Sequence, residues 1–339
     1  MNYAAIWNAT LEQRTQRTVE SRAHLWASEI GKAPLDIWLR LRGEQPSNPP
    51  GPRACRKFEA GNVFEFIVKL VLQRVGMLKS SQHKFRCEYD GLLPVSGRMD
   101  FVMGIGTSGQ IESITDFEAL GLPEFMVRAA TAIGKGIIEH YEEIPDTAIE
   151  VKSHSLMMFE RLLVAGKPNL NHRMQLFAGM KGAGIERGEI IYICRDDCRM
   201  QSFAVANPGP TDDELKWAIA EISDYYRSGQ QPPKEKEIVW NPDTGNFRVN
   251  WQIQYSEYLT LMYGYKDEAV FADKWKPTQM KWNRVLGRMN AVRAGKKTPT
   301  GKLIMLTPDN LEAVQEIKGY GYDAHALVDE FNTESEDES

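Results

Sequence analysis

Cysteine is scarce in this 339-residue chain, and Cys55, Cys87, Cys194 and Cys198 are scattered along it. Such usage suits reduced thiols better than a disulfide frame. Cys194 and Cys198 have the spacing of half a metal site, but no second close pair of Cys or His completes it. His140, His154 and His172 lack His-x3-His spacing and are expected to be structural or exposed. No apolar run approaches the roughly 20 residues that a membrane span needs. The opening residues lack the basic, apolar and small-residue order of a signal peptide, so a cytoplasmic protein with no membrane partner is expected. Acid is missing altogether from residues 274–302, which hold nine Lys and Arg, whereas 303–339 hold ten acids and one Lys. A net charge of −5 argues against a general polyanion binder, so this segregation carries more information than the sum.

The 42% apolar and 26% charged composition is that of a globular chain and excludes wholesale disorder. Residues 3–28 read as a helix, and 46–52 as a Pro-rich loop. Phe58, Val63, Phe66, Ile67, Leu70 and Val71 form an apolar stripe on a helix over 53–75, with Gly61 allowing close approach of another backbone. Strands are expected near 83–89 and 95–103 around the turn at Asp90-Gly91, then at 147–153, 188–194 and 200–206. Residues 105–146 read as an insertion with a helix near 123–141. A basic loop over 161–171 leads to a helix beginning near His172, and Thr211-Asp-Asp-Glu214 has the form of a capping box opening another helix. Interleaved strands and helices predict an α/β fold with a mixed sheet. The expected divisions are a helical segment 1–52, a core 53–234, a mainly helical region 235–332 and an acidic tail 333–339.

Several acids stand where a fold would not choose to bury them. On the strand Thr147-Ala-Ile-Glu-Val-Lys-Ser153, alternation sends Glu150 and Lys152 to one face and Ile149 and Val151 to the other. Asp100 lies inside the 95–103 strand, and Glu65 on the apolar stripe of the preceding helix. Three carboxylates at one end of a sheet offer the oxygen ligands that Mg2+ and Mn2+ prefer, and a lysine beside them can orient a water. That is equipment for phosphodiester hydrolysis.

The order Glu65, Gly97-Arg-Met-Asp100, Ile149-Glu-Val-Lys152, Gln175 resembles the PD-(D/E)XK nuclease superfamily, and within it the RecB-type exonuclease branch with its phage and CRISPR-associated relatives. The resemblance spans residues 25–265 or so. It implies a three-layer α/β/α restriction-endonuclease-like core with helical additions at both ends. It also implies that Asp100 and Glu150 ligate Mg2+ or Mn2+ with help from Glu65 and the Val151 carbonyl, that Lys152 serves the attacking water, and that Gln175 lies near the substrate strand. Two features depart from the family. Gly179 stands where the Tyr of Gln-x3-Tyr is expected, and the interval between Asp100 and Glu150 is long. Relatives that carry an iron–sulfur cluster hold it with four cysteines, and here Ala33, Ile253, Ser256 and Met262 occupy those positions, so no such cluster is expected.

Lys281, Arg284 and Arg288 share one face of a helix near 278–293 and, with Arg56 and Arg173, are candidate contacts to a phosphate backbone. The expected function is a metal-dependent deoxyribonuclease, an exonuclease acting on linear DNA ends through a metal-activated water. The resemblance further implies roles in recombination or repair, with a phage or bacterial partner protein, in a bacterial or phage-infected cell. The alternatives are an endonuclease or flap-processing nuclease of the same superfamily, and a DNA-binding assembly protein with a vestigial site.

Overall fold

A computed structural model of the chain describes residues 9–10, 18–74, 76–104, 124–125, 128 and 145–328. The acidic tail, and the helix expected near 123–141 apart from a few positions, lie outside them. Two compact units are present, Met1–Gln45 with Pro49–Pro232, and Pro46–Asn48 with Pro233–Ser339. Among the described residues no helix is long and apolar enough to cross a membrane.

The first unit is built on a six-stranded mixed sheet. Its elements in order are β1 (Leu25–Trp26), α1 (Pro34–Leu41), α2 (Pro52–Arg74), β2 (Leu78–Cys87), β3 (Val95–Met103), β4 (Thr147–His154), α3 (Leu156–Ala165), α4 (Leu170–Ala183), β5 (Arg187–Cys194), β6 (Met200–Ala206) and α5 (Thr211–Ser228). Hairpins explain the antiparallel pairs β2–β3 and β5–β6, while β4 and β5 run parallel because α3 and α4 cross between them. Alternation along β4 and β5 then assigns the two faces. Ile149, Val151, Ile191 and Ile193 pack with Phe64, Val68 and Leu72 of α2. On the other face, Leu176 and Met180 of α4 crowd Gly188 of β5, and Gln175 reaches Glu150. The sheet is thus sandwiched between helices, as the α/β reading expects.

Several local expectations need correction. Leu25–Trp26 is a strand pairing parallel to β3, not the end of a helix over 3–28, half of which lies outside the described residues. On α2, Leu70 is buried, but Phe58 (59% exposed), Val63 (57%), Phe66 and Ile67 face outward. The core face of α2 is instead Phe64, Val68 and Leu72. A Cβ on Gly61 would make an ordinary 3.7 Å contact with Ser153 Oγ, so close approach does not require glycine there. Part of the expected basic loop 161–171 is the end of α3. Thr211 is the first residue of α5, and no side chain caps that helix, so the capping box does not form.

The second unit is not only helical. A hairpin of β7 (Ile238–Asn241) and β8 (Asn246–Val249) precedes the short helices α6 (Trp251–Gln254) and α7 (Leu259–Tyr263), then α8 (Glu268–Arg293) and α9 (Pro308–Gly319). Ile238 and Phe247 of the hairpin pack with Trp282, Val285, Leu286 and Met289 of α8 and with Ala313, Val314 and Ile317 of α9. Asp267 caps α8 through the N–H groups of Ala269 and Val270, and the helix continues through Pro277.

Candidate active site

The site forms where two strands part. β3 and β4 pair antiparallel only at Phe101–Ile149, Val102–Ala148 and Met103–Thr147. The next residues along the two strands would be Asp100 and Glu150, and there the ladder stops. Further along β3, Val95 and Ser96 pair with β1 instead. A backbone N–H that loses its ladder partner must find another, and the N–H of Val151 donates to Oδ2 of Asp100 at 2.8 Å. The same carboxylate is therefore both a patch on an interrupted sheet and a group aimed into the opening.

Glu150 is only 2% exposed. Its Oε1 accepts from Lys152 Nζ at 2.5 Å and from Gln175 Nε2 at 2.7 Å, and Lys152 also donates to Gln175 Oε1 at 3.2 Å. The closed triangle joins β4 to α4 and satisfies a buried charge pair that would otherwise be costly. Glu65, on α2, accepts from Gln82 Nε2 at 2.6 Å. Burial first, then the Glu150 and Glu65 charges, push the Asp100 carboxyl well above its usual range, with Lys152 and the Val151 N–H offsetting only part. Burial disfavours charge on Lys152, but the Glu150 and Asp100 carboxylates outweigh it and raise its pKa. Glu65 is also raised, by burial and by Glu150, against the Gln82 hydrogen bond. Too much negative charge is gathered here for one lysine to balance.

Among the described residues no group of three or more His, Cys, Asp or Glu is arranged to hold a metal. Mg2+ does not demand such a cage, since it is bound through one or two carboxylates with waters and substrate phosphate filling an octahedron. The donor chemistry of Asp100 and Glu150, with Glu65 near them in charge range and an unbalanced local field, fits a hard divalent cation.

Gly179 has a packing cause. A Cβ there would lie 2.5 Å from Cγ and 2.8 Å from Sδ of Met99 on β3, so α4 crosses the sheet too closely for a tyrosine. The candidate phosphate contacts are distributed unevenly. Arg56 is exposed at the start of α2, whereas Arg173 is held by Glu214 of α5 through both carboxylate oxygens at 2.6 and 2.7 Å. In the second unit Lys281 pairs with Glu316 at 2.6 Å and Arg288 Nε donates to the Met305 carbonyl at 2.7 Å, while Arg284 is exposed. A stretch free of acid in sequence therefore meets acid supplied by α9.

Sequence reading passed over Gln82 and Tyr192, and expected His154 and His172 only to be structural or exposed. Gln82 has no motif to mark it. Beyond Lys152 on the same face of β4, the His154 ring stacks on Tyr192 at 5.1 Å between centroids, and His172 Nδ1 lies 2.9 Å from the Tyr192 hydroxyl. Burial, then the Lys152 charge, push His172 down to about 3, so it is a neutral wall of the site at physiological pH.

No family model matches the chain, and no curated protein matches it. Solved structures similar to it include two that share its fold. One, described as SSO0001, has 14% identity and a TM-score of 0.43, covering 78% of this chain and 97% of its own. The other, an alkaline exonuclease from Laribacter hongkongensis, has 12% identity and a TM-score of 0.37, covering 66% and 93%. At values this low the chemistry must be argued from the residues of the site itself.

Proposed function

We propose that the protein is a divalent-metal-dependent nuclease that hydrolyses DNA phosphodiester bonds from strand ends. The observation that carries this reading is the convergence of Asp100, Glu150, Lys152 and Gln175 where β3 and β4 separate. A bound Mg2+ or Mn2+ supplies Lewis-acid polarisation of the phosphate and of water. Asp100 and Glu150 would hold that cation, and Glu65 and the Val151 carbonyl would be further oxygens available to it. The carboxylates around Lys152 raise its pKa, and its ammonium would orient the attacking water and stabilise charge that develops on the phosphate. Gln175 donates to the same Glu150 oxygen and accepts from Lys152, so it fixes both groups of the pair. In the reaction the water oxygen bonds to phosphorus and the P–O3′ bond breaks. The proton lost by water leaves to solvent and the departing oxygen takes one up, which yields a 5′-phosphate and a 3′-hydroxyl.

The test is degradation of end-labelled linear DNA in Mg2+ or Mn2+, with a closed circle as control. Lys152→Ala and Asp100→Ala are expected to lower the rate by on the order of 10²–10³-fold or more while circular dichroism stays that of the wild type. A Lys152→Ala protein as active as wild type would remove this site from the chemistry. Cleavage of the closed circle would move the reading from exonuclease to endonuclease.

A further inference from the structure

Among the described residues only two that are not glycine have a left-handed backbone, Cys198 (φ 61°) and Gln82 (φ 51°). Cys198 lies in the turn between β5 and β6, where such a conformation is common. Gln82 lies in the middle of β2, where the strand requires extended backbone and an L-residue with a long side chain is strained. Its neighbours fix its place. Ser81 pairs with Phe101 and His83 with Met99, which sets Gln82 opposite Asp100. A separate register shift between Leu78 and Ser80 lies opposite Val102 and Met103, beyond the residues that flank Gln82. Irregularities of this kind re-aim a side chain, and here Nε2 of Gln82 donates to Glu65 Oε1 at 2.6 Å. Glu65 needs restraint because Glu150 repels it, and a free carboxylate on a half-exposed helix face would turn to water.

We propose that Gln82 is a positioning residue of the site: β2 gives up regular backbone at one residue so that the amide restrains Glu65 on the side of α2 from which its charge reaches Asp100 and Glu150, where a divalent cation held by those two carboxylates would draw it in. This inference rests on the metal-dependent reading above. Outer hydrogen-bond partners of metal-site carboxylates are worth about 10–100-fold in metal affinity. Strain accepted at such a position is relieved when function is removed.

Two variants separate this role from a merely structural one. Gln82→Gly removes both the strain and the amide, and Gln82→Asn tolerates the left-handed backbone but is one methylene too short. Both are expected to unfold at a higher temperature than wild type in the absence of metal. Both are also expected to bind Mn2+ about tenfold more weakly by titration calorimetry, with DNA hydrolysis falling in parallel. In a Glu65→Ala background, Gln82→Gly should change Mn2+ affinity less than twofold, because its effect passes through Glu65. Wild-type Mn2+ affinity in both Gln82 variants, or an undiminished loss in the Glu65→Ala background, would overturn the proposal alone. A wild-type protein that binds no Mn2+ would instead remove the metal-dependent reading, and this inference with it.

Discussion

Glu29 and Asp100 both sit where burial disfavours their charge, and the chain handles them in opposite ways. Glu29, 3% exposed, receives Arg22 through both oxygens at 2.6 Å, Arg40 at 3.0 Å and the Trp26 N–H at 3.0 Å. Burial opposes its charge, but the Arg22 hydrogen bonds and charge, with Trp26 and Arg40, outweigh it and hold the carboxyl below its usual range. Asp100 receives one backbone N–H and is crowded by Glu150 and Glu65, so its carboxyl rises. One carboxylate is paired until it is content, and the other is kept short of positive charge. The first arrangement ties β1 and the residues before it to α1. The second leaves negative charge that one lysine does not balance, which on the proposed reading is the demand a divalent cation would meet.

Removing the well-paired carboxylate should have the largest effect on stability. Glu29→Ala leaves Arg22 and Arg40 facing each other in a mostly buried setting, and breaking a buried pair in this way costs about 3–5 kcal/mol. Urea unfolding of the metal-free protein measures it. The pH dependence has a definite sign. A lowered carboxyl contributes stability above its ordinary value of 4.5, and that contribution is lost as pH falls through the lower folded value. The variant should therefore show a flatter acid limb than wild type. A cost below about 1 kcal/mol, typical of exposed pairs, would erase the contrast with Asp100.

Asp100→Asn should move stability the other way. The amide oxygen can still accept from Val151 while the crowded charge disappears, so the metal-free protein is expected to gain on the order of 1 kcal/mol at pH 8. A raised carboxyl contributes stability below its ordinary value of 3.8, lost as pH rises through the higher folded value. The gain from Asn should accordingly shrink toward pH 4. Added Mg2+ should raise the melting temperature of wild type and leave that of Asp100→Asn nearly unchanged, since a ligand stabilises only the state that binds it. A destabilised Asp100→Asn would mean that Asp100 is held by partners strong enough to offset Glu150 and Glu65.

Much of the candidate site's geometry was legible because it obeys strand alternation. Glu150 and Lys152 had to share a face, and residue chemistry marked Asp100 and Glu65 as their companions. What was not legible depended on which surface a neighbour covers. Helix α2 carries apolar residues on several sides, so periodicity picked Phe58, Val63, Phe66 and Ile67 when Phe64, Val68 and Leu72 face the sheet. Strand β1 is two residues long, and its pairing exists only because β3 and β4 separate. Gln82 left no trace either, since nothing in Ser81-Gln-His83 favours a left-handed residue. Its conformation is imposed by the register of β2 on β3 and by the reach to Glu65.

A third carboxylate tests how far the contrast extends. Glu316 of α9 pairs with Lys281 of α8 and accepts from Trp282 Nε1 at 3.3 Å, but both side chains of the ion pair are about two-fifths exposed. Water screens such a pair, so Glu316→Gln should cost only about 0.2–1 kcal/mol. Its more useful effect is on Lys281, which loses the anion that now occupies it. If Lys281 faces a phosphate backbone, DNA binding by Glu316→Gln should tighten at low salt, and the slope of log affinity against log salt should steepen by about one. Lys281→Ala should show neither gain. An unchanged slope in Glu316→Gln would confine Lys281 to holding α8 and α9 together, and would leave exposed Arg284 as the part of that helix face to test next.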